Sequence, residues 1–110
     1  MPTEAARRSR LWRVGPLRVE WRPSALADHA AIFEYLFERN PLAAATLAEA
    51  LVVAGDSLST LPFRGRPGLV HGTRELLIVR PYLVIYEVDP SEDRVIILRV
   101  WHGSRDRDAG

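Results

Sequence analysis

The sequence predicts a small α+β domain, a helical hairpin packed on one face of a small antiparallel sheet in the order β-α-α-β-β-β. Three observations predict it. A short alternating stretch, "LRVEW", is followed by two segments whose apolar residues recur every three or four positions. Three apolar, β-branched runs then follow: "TRELLIV", "YLVIYEV" and "RVIILRVW". The separators of those runs, Arg80-Pro81 and "DPSED", are short turn sequences, so neighbouring runs should pair antiparallel as a meander.

In "LRVEW" Leu17, Val19 and Trp21 alternate with Arg18 and Glu20, the pattern of a half-buried strand. Pro23-Ser24 opens the first helix, with Ser24 expected as its N-cap. Leu26, Ala30, Phe33 and Phe37 form its expected core stripe. Asn40-Pro41 restarts the chain, Asn40 as cap and Pro41 in the first helical position. The second helix should bury Leu47, Leu51, Ala54, Leu58 and Leu61. So short a link folds the helices back on each other, and both need a sheet to cover. "PFRGRPGLVHG", with two prolines and three glycines, is a loop.

The chain has 110 residues, 47% of them hydrophobic and 26% charged, which suits one globular domain with a single core. Residues 1–16 carry Arg7, Arg8, Arg10 and Arg13 without an apolar stretch, and read as a poorly ordered basic tail rather than a secretory signal. Residues 17–108 form the domain. No apolar run approaches the roughly 20 residues of a membrane span, and no membrane association is expected. There is no cysteine, so disulfides and thiolate metal sites are excluded, in keeping with a cytoplasmic protein. All 15 basic residues are arginine, which clamps phosphate or carboxylate but does not serve as a general base. A net charge of +1 does not by itself indicate nucleic-acid binding.

His102 ends the face shared by Ile96, Leu98 and Val100 in the last strand. It is a candidate general acid or base, and equally a structural histidine at the sheet margin. Tyr82 and Tyr86 share one face of the preceding strand, where either hydroxyl can reach a ligand or simply cap a core aromatic. Arg64, Arg66, Arg74, Arg99 and Arg105 form a candidate phosphate groove, or a scatter of surface charges. His29, His71 and His102 lack ligand spacing, and no Walker or G-x-S-x-G motif occurs, so neither metal nor cofactor is expected.

The succession "VEWRPSALADHAAIFEYLFERNPLAAATLAEAL", "LPFRGRPG", "TRELLIVRPYLVIYEV" and "VIILRVWHGSRD" resembles the ParE/RelE superfamily of type II toxins over roughly residues 17–108. The resemblance implies the same fold. It also implies the toxin of a plasmid-stabilisation type module, held in a hetero-oligomer by a cognate antitoxin that wraps its sheet and helices. RelE-like members cleave ribosome-bound mRNA; ParE-like members are associated with poisoning DNA gyrase. Under a RelE-like reading the catalytic residues would be His102, Arg74, Tyr86 and Arg105. Leu83, however, stands where RNA-cleaving relatives carry an arginine, and lysine is absent. Those departures point to the ParE branch, with Arg64, Arg66, Arg99, Trp101 and Arg107 as candidate contacts to target or antitoxin.

Overall fold

The computed structural model describes residues 16–103, so Arg105 and Arg107, and residues 1–15 of the basic tail, lie outside the described residues. The elements are β1 (Arg18–Trp21), α1 (Pro23–Arg39), α2 (Pro41–Leu58), β2 (Arg66–Pro67), β3 (Arg74–Val79), β4 (Tyr82–Asp89), a 3₁₀ turn (Pro90–Glu92) and β5 (Arg94–His102). The strands form one sheet in the order β1-β5-β4-β3-β2, and the two helices cover one of its faces. The α+β class and the helical hairpin stand as expected.

The sheet is mixed rather than wholly antiparallel. β3, β4 and β5 form the expected meander, but β1 lies parallel to β5, Arg18 opposite Arg94 and Trp21 opposite Ile97. Two helices and three strands separate β1 from its partner, so no turn sequence announces the pairing. β2 is a second addition, two residues from the loop, Arg66 opposite Glu75 and Pro67 opposite Arg74.

Asn40 caps α2 through its side-chain oxygen, which accepts the Ala43 N–H at 3.1 Å. Leu47, Leu51 and Leu58 of α2 are buried on the sheet as the stripe predicts, each worth about 1.5–3 kcal/mol, whereas Leu61 lies beyond the helix and is exposed. α2 is also long and apolar enough to cross a membrane by length and composition, contrary to the sequence expectation. Its buried leucines show it to be the core helix of this fold.

α1 buries a different stripe from the one expected. Ala25, Ile32 and Leu36 face the core, while Leu26, Phe33 and Phe37 point outwards, Leu26 and Phe37 more than half exposed at 52% and 53%. Nor is Ser24 the N-cap, a position held by Arg22 without a side-chain bond. The Ser24 hydroxyl instead donates to the Leu98 carbonyl at 2.8 Å, and the Asp28 carboxylate accepts the Val100 N–H at 3.0 Å. β1 ends opposite Ile97, and among the described residues no strand continues along the rest of that β5 edge. Side chains of α1 supply the hydrogen bonds that a longer β1 would have made.

β5 does not alternate uniformly. Opposite β4 the register shifts between Ile97 and Arg99, where Leu98 forms a bulge. Val95, Ile97, Val100 and His102 therefore share the helix-covered face, with Tyr82, Val84, Tyr86 and Val88 opposite them on β4. The expected single row of Ile96, Leu98, Val100 and His102 is broken at the bulge.

Candidate functional site

The loop before β3 folds across the end of the sheet and is held there by Arg74 and Tyr86, which face each other across β3 and β4. The Arg74 guanidinium donates to the Gly65 carbonyl at 2.7 Å and lies 5.0 Å from the Phe63 ring centroid. The fully buried Tyr86 hydroxyl accepts the Gly65 N–H at 2.9 Å. Burial pushes the Tyr86 phenol above its ordinary value, against the partial opposition of that hydrogen bond and of Arg74 and Arg64. Gly65 is thus gripped at both its polar groups. A Cβ there would lie 2.7 Å from the Tyr86 oxygen and 2.8 Å from the Glu75 carbonyl, so only glycine fits.

Fixing this loop opens a groove of about 590 Å³ beside β3, where Arg64, Arg66 and Arg80 surround Glu75, Leu77 and Leu83. Arg66 pairs with the buried Glu75 at 3.1 Å, and Arg64 donates to the Ser57 hydroxyl at 2.7 Å. Gly103, whose N–H donates to the Pro81 carbonyl at 2.6 Å, also lines the groove. Arg80, Glu75 and Gly103 were not singled out from sequence. Arg80 is legible only as the residue before a turn proline, and Glu75 only as part of a strand pattern.

The other sequence candidates lie elsewhere. His102 faces Tyr82 on the helix-covered side, half-buried, the two rings edge to face at 5.5 Å between centroids. Arg99 is held by Asp28 in a bidentate pair at 2.7 and 3.0 Å, and its guanidinium carbon lies 6.0 Å from the half-buried Trp101 ring. The structure therefore brings together Arg64, Arg66 and Arg80 around the groove, and separately Arg74 with Tyr86. It does not bring His102 to either cluster. Tyr82 and Tyr86 lie four positions apart along β4, about 13 Å at the usual strand rise. Among the described residues, no group of three His, Asp or Glu side chains can hold a metal.

The family model described as "ParE toxin of type II toxin-antitoxin system, parDE" matches residues 19–107. Toxin RelE2 of Caulobacter vibrioides is 43% identical over 89 residues, 80% of this chain and 97% of that toxin. Among solved structures, the chromosomal ParDE toxin–antitoxin system from P. aeruginosa is similar with a TM-score of 0.69 and 26% identity, covering 78% of this chain and 95% of that one. The RelBE2 toxin–antitoxin complex from Mycobacterium tuberculosis is similar with a TM-score of 0.58 and 27% identity, covering 82% and 94%.

Proposed function

The chain belongs to the ParE toxin family of type II toxin–antitoxin systems, and from that premise we propose that it arrests growth by binding DNA gyrase rather than by cleaving RNA. It acts in the cytoplasm and is silenced in a hetero-oligomer with its antitoxin. One observation carries the choice. RNA cleavage through the 2′-hydroxyl needs a base, an acid and a cation converging on one phosphate, within about 3 Å of the atoms they serve. Here the Tyr86 hydroxyl and the Arg74 guanidinium are spent on Gly65 inside the fold. His102 lies opposite Tyr82, about 13 Å along the strand from Tyr86. Such spacing favours a protein that works by surface recognition.

The purified chain is expected to inhibit gyrase supercoiling while leaving ribosome-bound mRNA intact, and His102→Ala is expected to stay toxic on induction. Ribosome-dependent cleavage lost in a folded His102→Ala protein would overturn this. The groove favours a second reading, a RelE-like ribonuclease, because Arg64, Arg66 and Arg80 can also hold phosphates. Toe-printing of mRNA on ribosomes exposed to the chain separates the two.

A further inference from the structure

We propose that residues 1–16 are a basic arm that grips the phosphate backbone of duplex DNA, tethering the folded domain to the DNA on which its target acts. The proposal rests on the gyrase reading for where the arm works, but not for what the arm binds.

Charge is the first observation. Residues 1–16 carry Arg7, Arg8, Arg10 and Arg13 against the single carboxylate of Glu4, a charge of +3. The rest of the chain sets eleven arginines against thirteen carboxylates, a charge of −2. The total of +1 therefore conceals a cationic end joined to an acidic domain. That domain alone repels a polyanion, whereas four arginines within seven residues attract one. The family match begins at residue 19, so the arm stands in front of the matched domain.

Position is the second observation. The Leu17 N–H donates to the Ser59 carbonyl at 2.8 Å, and the Ser59 hydroxyl donates to the Leu17 carbonyl at 2.7 Å. The Arg18 N–H donates to the Asp93 carbonyl at 2.9 Å. The chain is thus pinned from Leu17 onwards, and the four arginines all precede the pin. Two residues before Ser59, the Ser57 hydroxyl accepts from Arg64 at 2.7 Å. The arm therefore leaves the fold beside the first arginine of the loop.

Chemistry then selects the ligand. Seven residues reach about 25 Å at most, a length over which a duplex presents roughly a dozen or more phosphate charges. Each guanidinium can grip a phosphate through two N–H groups. The arginines are irregularly spaced, and a backbone that repeats its charge without interruption asks for no fixed spacing, as an acidic peptide would. Leu11, Trp12 and Val14 are too few for the broad apolar face that an interfacial helix lays into lipid.

The test uses the purified full chain, without antitoxin or gyrase, and a short fluorescent duplex of arbitrary sequence. Binding should be indifferent to sequence and weaken about 100-fold between about 50 and 200 mM salt, as four phosphate contacts require. The variant Arg7→Gln/Arg8→Gln/Arg10→Gln/Arg13→Gln alters no residue of the described domain and should melt like wild type. It should bind the duplex at least about tenfold more weakly, while Lys at the same four positions should keep the affinity within about threefold. Duplex binding that is absent, that the Gln variant retains, or that ignores salt overturns the proposal and leaves the gyrase reading standing. Arm-dependent binding to single-stranded RNA, poly-glutamate or anionic vesicles that is tighter than to the duplex overturns it in favour of that ligand. In a supercoiling assay the Gln variant should inhibit gyrase about tenfold less well than wild type, because the tether raises local concentration. Equal inhibition by both proteins overturns the tether. A wild-type chain that binds the duplex and leaves gyrase untouched overturns the gyrase reading and upholds the arm's ligand.

Discussion

The Asp28 carboxylate binds Arg99 through both oxygens, at 2.7 and 3.0 Å, and with Oδ2 also accepts the Val100 N–H at 3.0 Å. One side chain thus fastens α1 to β5 where β1 has run out. Asp28→Ala is expected to strip Val100 of its hydrogen bond and cost about 1–3 kcal/mol, lowering the melting temperature by about 5 °C or more. Asp28→Asn keeps an acceptor for Val100 and should lose less. Thermal unfolding followed by circular dichroism ranks the two, and equal melting points would refute the role of the backbone bond.

Gly65 and Tyr86 form the second stabilising relationship. Tyr86→Phe leaves the Gly65 N–H without its acceptor and should cost about 1–2 kcal/mol in denaturant titrations. Gly65→Ala should cost more, because its Cβ meets the Glu75 carbonyl, which cannot swing aside. The Tyr86 phenol is less acidic in the folded chain than in the unfolded one. It therefore adds stability below its ordinary value of 10.0, and that stability disappears as pH rises through the higher folded value. Tyr86→Phe should flatten the alkaline limb of the stability curve.

Arg94 is the group common to both carboxylates of the acid limb. It lies between Glu20 at 2.9 Å and Asp89 at 3.1 Å. Hydrogen bonding from Arg18, then from Arg94, holds the Glu20 carboxyl below its ordinary 4.5; the Ser91 hydroxyl, then Arg94, holds Asp89 below 3.8. Carboxyls made more acidic by folding add stability above those ordinary values and lose it as pH falls through the folded ones. Melting temperatures should therefore drop below about pH 4.5 in the wild type and depend less on pH in Arg94→Met. An unchanged acid slope in the variant would remove Arg94 from the account.

The outward face of α1 should tolerate what its inward face does not. Phe37→Glu is expected to change stability by no more than about 0.5 kcal/mol, because Phe37 rests against Phe33, 5.7 Å between centroids, and solvent. Leu36→Ala, on the core side, should cost about 2 kcal/mol. Equal losses would mean that Phe37 is part of the core after all.

These helix faces also show what the sequence could reveal. Periodicity announced both helices, and for α2 it also named three of the buried residues, Leu47, Leu51 and Leu58. In α1 two stripes are equally regular, the expected one through Leu26, Phe33 and Phe37 and the buried one through Ala25, Ile32 and Leu36. Only the position of the sheet decides between them. The meander was legible because its turns are short and local. The β1–β5 pairing and the Leu98 bulge were not, since both are settled by contacts between distant segments. Of the candidate site, Arg64 and Arg66 were visible as charges around a glycine. The absorption of Arg74 and Tyr86 into loop anchoring depended on backbone groups that carry no sequence signature.

Among the described residues, β5 alone lies between β1 and β4 and pairs with both. Until it has been synthesised, β1 has no partner and β4 only one, and the leucines of α2 have half a sheet to cover. A premature stop anywhere upstream of Arg94 accordingly yields a product without the strand that joins β1 to the meander. The order in which the strands are made therefore sets the order of assembly, β1 waiting through both helices and the first part of the meander for the strand that receives it.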